Sequence, residues 1–505
     1  MDAAKRIVLN TSAQYIRTII GGVITLYSAR LILHHLGTDD YGIYSLVAGV
    51  VMMLSFITNA LTSTTQRFIS FFQGKKDKEQ MKRVFSNSMY LHLGIGFSVV
   101  FVLGILYFFL FDIIEIPEVR IKAASRVYFS VILTLFLSFM TSPLRAILIA
   151  HENIVYISII DLLDSVLKLL IAISLYIVCF DKLVFYAIML ITVQLFNFIA
   201  FGVFCLKKYE ECIWPQIDHL DSSYLKGLSG FAGWSIYSIG CHVGRTQGLN
   251  IVVNRMMGTA VNAAYGLALQ VSSYANFMSG ALLNSIRPQI IKAEGGGERK
   301  KMIILSELSC KYGFFLMSLV AIPCIFEMPR LLSLWLGEVP EYTVMFTDMC
   351  LLGMVVDKLT DGLNITNQAI GKLKLFTIWV NTGKLVTVPL CLLLMMMGFA
   401  PLSMAICFVV IEFISAIIRL PIINKQTGMS YSSFVRNVLI KLFIPFLFCL
   451  SICILITTFF NGEYRFVLTF ATSTIFYSIS FFFFAMDSNE KSRILKTVIS
   501  KNGQN

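Results

Sequence analysis

Residues 88–110 read SMYLHLGIGFSVVFVLGILYFFL, without a single acidic side chain, lysine or arginine. At about 1.5 Å per helical residue this run reaches roughly 34 Å, enough to cross the ~30 Å hydrocarbon core of a bilayer. Apolar runs close to this length recur along the whole chain of 505 residues. The composition agrees: 57% of residues are hydrophobic and 14% charged, with a mean hydropathy of +0.77. Soluble domains carry about a quarter charged residues, so this chain cannot coat a water-facing surface of its size. Lipid is its main solvent, and the fold class is all-α, polytopic.

Fourteen spans are expected. The first six run about 12–33, 41–64, 88–110, 127–144, 155–179 and 183–205, and six more run 231–253, 262–285, 303–325, 344–367, 375–397 and 402–418. The last two are 442–459 and 467–484. The implied domains are a six-helix lobe over 1–206, a cytoplasmic linker over 207–226, a second six-helix lobe over 227–423, and two additional helices with a cytoplasmic tail over 424–505. The first span follows a short polar start and lasts too long for a signal-peptide core. The eleven cysteines fall almost entirely inside apolar runs and form no CxxC pair, so they read as packing residues.

The formal net charge of +12 does not point to nucleic acid, because basic residues collect in short gaps between apolar runs. With the N-terminus inside, the inner segments hold twenty-seven lysines and arginines and the outer segments seven. Basic residues resist translocation, so both termini are expected in the cytoplasm. A shift of 221 positions lays Gly37, Thr38 and Tyr44 on Gly258, Thr259 and Tyr265, and Ala60 and Leu61 on Ala281 and Leu282. Six spans separate the matched segments, so the two halves would share one orientation, related by an axis along the membrane normal.

Arg30-Leu-Ile-Leu-His-His-Leu36-Gly37-Thr38-Asp39-Asp40-Tyr41-Gly42-Ile43-Tyr44 resembles the first-loop signature of the bacterial polysaccharide (O-antigen type) flippases, in which an Arg closes the first helix and LGxxxYGxY opens the second. Thr65-Gln66-Arg67-Phe68-Ile69-Ser70 also fits. Those flippases belong to the multidrug, oligosaccharidyl-lipid and polysaccharide exporter superfamily. The resemblance implies a V-shaped, two-lobed bundle in the bacterial inner membrane. It would move undecaprenyl-diphosphate-linked oligosaccharide from the inner to the outer leaflet by alternating access, as a step of polysaccharide or lipopolysaccharide biosynthesis beside polymerase machinery.

An ionisable side chain at the bilayer midplane costs roughly 2.5–3.5 kcal/mol, so those present face a cavity or a partner. On span 7, His242, Arg245 and Thr246 share a face, which suits a cationic wall for diphosphate and sugar or a structural bond to a neighbour. On span 5, Asp161, Asp164 and Lys168 share a face; Asp164 and Lys168 can neutralise each other, leaving Asp161 in need of a cation. On span 10, Asp357, Asp361 and Asn364 share a face with Lys358 turned away, and two close carboxylates could share a proton for ion coupling. Lys384 on span 11 could meet phosphate or neutralise an Asp of span 10. Arg17 and Arg30 on span 1 are further substrate candidates, although Arg30 could simply snorkel. Glu412 and a Glu307/Lys311 pair read as structural, Phe481 to Phe484 as lipid-facing, and Gly295 to Gly297 as a flexible loop. No catalytic residue, metal site or cofactor is expected; a proton or sodium gradient would drive transport. The expected partners are the lipid-linked substrate and membrane lipid. The competing functions are a cation-coupled drug exporter of the same superfamily and an integral-membrane polysaccharide polymerase or glycosyltransferase, for which the outer loops are short.

Overall fold

The computed structural model describes residues 3–52, 54–113, 116–213, 220–488 and 490–492. The tail beyond 492 and residues 214–219 of the expected linker lie outside them. Among the described residues the chain is nearly all helix, with no strand. The helices are α1 (Ala3–Met52), α2 (Ser55–Lys75), α3 (Lys78–Ile113), α4 (Ile121–Ala150), α5 (Ile154–Ser174), α6 (Lys182–Lys208), α7 (Ser222–Met257), α8 (Thr259–Gly295) and α9 (Arg299–Leu336). They continue as α10 (Thr343–Lys358), α11 (Asp361–Ile370), α12 (Leu373–Phe376), α13 (Gly383–Leu385), α14 (Thr387–Met396), α15 (Leu402–Thr427), α16 (Tyr431–Phe434), α17 (Ile440–Phe459) and α18 (Arg465–Ser480). π-helical turns at Thr377–Thr382, Val435–Leu439 and Phe481–Ala485 link or extend the later ones.

Each of the fourteen expected spans is mostly helical among the described residues, and nine described stretches are long and apolar enough to cross a membrane. The five expected spans outside that set are numbers 2, 5, 7, 8 and 10. Three of them carry the membrane-depth charges of the candidate site. Spans 2 and 8 instead carry buried small and polar residues, among them Thr58, Thr64, Ser272, Ser279 and Ser285. Side chains of this kind are compatible with burial against protein and not with lipid.

The chain divides into two compact units, Met1–Gly240 with Arg287–Glu298, and Cys241–Ile286 with Arg299–Asn505. In the first, α4 packs on α6 and α2, and α1 on α5. Tyr128, Phe139, Val127 and Leu61 fill one end of its core and Phe85, Ile147 and Phe201 the other. In the second, Phe314, Met317, Phe376 and Phe434 form one cluster and Leu249, Tyr265 and Phe346 another.

The two breaks that match across the 221-residue shift have the same cause. Gly37 breaks α1 with φ 79°, and Gly258 separates α7 from α8 with φ 87°, values that favour glycine. The shift recurs at the C-terminal ends of α2 and α8. A Cβ on Gly74 would lie 2.1 Å from the Lys292 carbonyl oxygen, and one on Gly295 would lie 2.0 Å from the Phe71 carbonyl oxygen. Gly295 is Gly74 plus 221, and Lys292 is Phe71 plus 221. The tips of α2 and α8 therefore cross in reciprocal backbone contact, which replaces the expected flexible loop at Gly295. Glu152 ties the same region together. It holds Lys292 Nζ at 2.7 Å and Gln289 Nε2 at 3.2 Å on its carboxylate, while its carbonyl accepts Asn10 Nδ2 at 2.8 Å.

Three further expectations are corrected. Span 10 is two helices, broken at Leu359 and Thr360, and Gly362, just past the break, packs against the Ser306 carbonyl of α9 too closely for any Cβ. Lys311 pairs with Glu490 at 2.8 Å rather than with Glu307, whose carboxylate instead accepts Asn437 Nδ2 at 2.9 Å. Phe481 is buried and stacked on Phe315, with 4.0 Å between ring centroids, because a π-turn rotates it inward; Phe483 and Phe484 stay exposed.

Candidate functional site

The first-loop signature does structural work. Asp40 is held by Arg120 Nε at 2.8 Å, and Arg120 Nη1 reaches Asp181 at 2.9 Å, the residue whose carboxylate caps α6. Tyr44 packs edge-on against Tyr186, and Ile32 joins a cluster with Ala172 and Leu175. Arg30 is exposed and has no ion pair among the described residues. Arg67 of the second motif lies over the rings of Phe68, Phe71 and Phe231 at 4.7–5.5 Å.

Within the first unit, Asp161 of α5 is the centre. Arg145 of α4 grips it with two bonds, 2.7 Å and 3.1 Å, and Arg17 of α1 bonds the same carboxylate. Two guanidiniums thus face one carboxylate. Asp164 takes Lys168 at 2.8 Å and Asn197 Nδ2 of α6 at 2.7 Å, a closed pair on the expected spacing. The cation that Asp161 needed is therefore supplied twice. Arg145 lies one residue past the expected span 127–144, where no sequence spacing links it to Asp161.

Within the second unit, a chain of charges runs through helices α7, α10, α13 and α15. Arg245 is buried, with Nη1 2.5 Å from Glu412 Oε1 and its guanidinium 3.9 Å over the Phe408 ring. Lys384 bridges Glu412 at 2.6 Å and Asp357 at 2.7 Å. Arg419 reaches the Asp357 carboxylate at 2.5 Å and donates to the Asp357 carbonyl at 3.1 Å, which satisfies an end group left by the break after α10. Here three cations share two carboxylates. Arg245 Nε and Nη2 have no hydrogen-bond partner although both are buried. Such donors are costly to leave unmade, and they fit an anion.

His242 is exposed and within electrostatic reach of Arg245, Lys384, Asp357 and Glu412. Thr246 is turned to its own helix, donating to the His242 carbonyl at 3.0 Å, and so makes no outward hydroxyl bond there. The expected carboxylate pair of span 10 does not exist as one face of one helix. Asp361 opens α11 and pairs with Lys358 at 2.7 Å, which corrects the expectation that Lys358 turns away. The helix break swings the two residues together. A π-turn at Thr377–Thr382 directly precedes Lys384, an irregularity often found at functional sites. Glu412, read from sequence as structural, belongs to this network, as does Arg419 just past the expected span 402–418. Asp348 on α10 also went unnoticed; its Oδ1 is buried without a partner. The signal available for these residues was charge inside an otherwise apolar helix.

A MatE family model matches residues 13–173. No curated protein matches the chain. Among solved structures, an outward-facing multidrug resistance MATE family transporter of the MOP superfamily aligns with TM-score 0.72 and 16% identity, over 85% of this chain and 96% of that one. A MATE protein in its straight conformation aligns with TM-score 0.73 and 15% identity, over 85% and 97%. A MOP superfamily transporter from Pyrococcus furiosus, described by a reverse polarity of its binding pocket that suggests a different function, aligns with TM-score 0.70 and 15% identity, over 86% and 97%. The chain is a polytopic all-α membrane protein with the MATE transporter fold.

Proposed function

We propose that this chain is a transporter that moves an anionic, lipid-linked oligosaccharide across the cytoplasmic membrane by alternating access. The observation that carries this reading is the cation surplus within each ion-pair cluster, two guanidiniums on Asp161 and three cations on Glu412 and Asp357, together with the unmade donors of Arg245. A site that must bind phosphate needs a guanidinium whose bonds are not all spent, because its fork pairs bidentately with phosphate oxygens as it does with a carboxylate. The first-loop resemblance supplies the cargo class, undecaprenyl-diphosphate-linked glycan. Arg245 and Lys384 of the second unit are contacts for its phosphates with His242 beside them, Arg17 is a contact within the first unit, and Asp357 couples the movement to a proton or sodium gradient.

Cation-coupled drug export is the second reading. It is favoured by the likeness to a multidrug transporter and by the partnerless Asp348 oxygen, which suits a cation. Vesicles reconstituted with the purified chain separate the two. Flipping of undecaprenyl-diphosphate oligosaccharide is expected for wild type, with at least a ten-fold loss in Arg245→Ala and partial retention in Arg245→Lys, and no ethidium export is expected. Ethidium export without oligosaccharide flipping would overturn the glycan reading.

A further inference from the structure

The α6 residues Phe196, Ile199, Ala200, Val203, Phe204, Lys207 and Lys208 recur at intervals of three and four, so they form one stripe down the helix. With Tyr156 of α5 they line a groove of about 550 Å³. Phe196, Ile199 and Val203 are exposed along it, and both lysines are exposed at its end. From Phe196 to Lys208 the stripe is about 18 Å long at ~1.5 Å per residue. That is close to one leaflet of hydrocarbon, roughly half of ~30 Å.

The wall is rigid. Tyr156 stacks on Phe204 with 3.8 Å between ring centroids and donates its hydroxyl to the Ala200 carbonyl at 2.9 Å. Among the described residues neither lysine has an ion pair. The nearest carboxylates in sequence are taken elsewhere, Glu210 by Lys78 at 2.8 Å and Glu211 by His151. Lys208 Nζ lies 4.8 Å from the Phe204 ring centroid, at the mouth of the groove.

We propose that this groove is a binding site for an anionic glycerophospholipid of the cytoplasmic leaflet, with its phosphate on Lys207 and Lys208 and an acyl chain along Phe196 to Val203. The charge complementarity is what selects the occupant: an apolar slot one leaflet deep, closed at the headgroup level by two ammonium groups, matches a lipid with a net negative head. A zwitterionic lipid fills the slot, but its choline ammonium offsets the phosphate and weakens the attraction to the two lysines. Each lysine near a headgroup contributes about five-fold in affinity, so the anionic preference should be ~25-fold. The site is independent of the cargo, since no residue of the two charge clusters lines it.

Native mass spectrometry of the full chain tests this, with titration by palmitoyl-oleoyl phosphatidylglycerol, phosphatidylcholine of the same chains, and undecaprenyl phosphate. The expected wild-type result is phosphatidylglycerol bound ~25-fold more tightly than phosphatidylcholine. Lys207→Gln/Lys208→Gln should bring the two lipids level, and Val203→Trp should weaken both by filling the slot, each with an unchanged melting temperature. Retention of the anionic preference by the double variant would overturn the proposal. So would undecaprenyl phosphate displacing phosphatidylglycerol at equal concentration, which would assign the groove to a polyprenyl lipid.

Discussion

Arg245 illustrates how one side chain serves both folding and recognition. Its Nη1 is spent on Glu412 and its flat face on Phe408, so the far edge, Nε and Nη2, is the part left for a ligand. Breaking such a buried pair costs about 3–5 kcal/mol, whereas replacing both partners with apolar groups of similar volume is close to neutral. Arg245→Ala is therefore expected to lower the melting temperature as well as transport, while Arg245→Met/Glu412→Leu should restore the melting temperature and leave flipping absent. Recovery of flipping by the double variant would make the pair purely structural. Asp357 poses a different question, since Lys384 and Arg419 both hold it. If it couples transport, Asp357→Asn should flip cargo at the same rate with and without an imposed proton or sodium gradient, where wild type accelerates. Asp357→Asn responding to the gradient as wild type does would remove it from coupling. The spacing of Asp164 and Lys168 made their pair legible, whereas Arg145 on Asp161 was not, because α4 and α5 meet only through tertiary packing.

At the scale of the elements, backbone proximity governs. The crossing of α2 and the α8 tip leaves no room for a Cβ at Gly74 or Gly295. Alanine at either position must push the two helices apart, at a cost of about 1–3 kcal/mol. Since either change separates the same pair, the double Gly74→Ala/Gly295→Ala variant should cost less than the two singles added. Gly233→Ala on α7, where nothing lies within 4 Å of the added methyl, should be neutral or slightly stabilising by propensity. Thermal unfolding in detergent reads all four, and full additivity would mean the glycines do not share one contact. The 221-residue shift was visible in sequence at Gly37 and Gly258, but not at Gly74 and Gly295, since a lone glycine near a helix end carries no partner's address. The break in span 10 was equally hidden: Gly362 marks it only once the α9 backbone lies against it.

For the whole molecule, the charge asymmetry makes a topological prediction that needs no site at all. In a cysteine-free background, Val119→Cys and Asn461→Cys should react with an impermeant maleimide in intact cells, and Lys76→Cys and Lys300→Cys only after permeabilisation. External labelling at Lys300 would invert the second half. Sequence alone determined the solvent, the helical class, nine of the fourteen spans and the register of the matched glycines, because these follow from local apolarity and from glycines whose φ is a property of their own backbone. Tertiary structure alone decided which charges meet. Ion pairs between helices depend on rotation about each axis, and that rotation is set by packing, by the π-turn before Lys384 and by the break between Lys358 and Asp361. Hence Asp357 and Asp361, one turn apart on paper, each lie beside a different cation, while Arg245, Glu412 and Lys384, scattered over 168 positions, stand in one line.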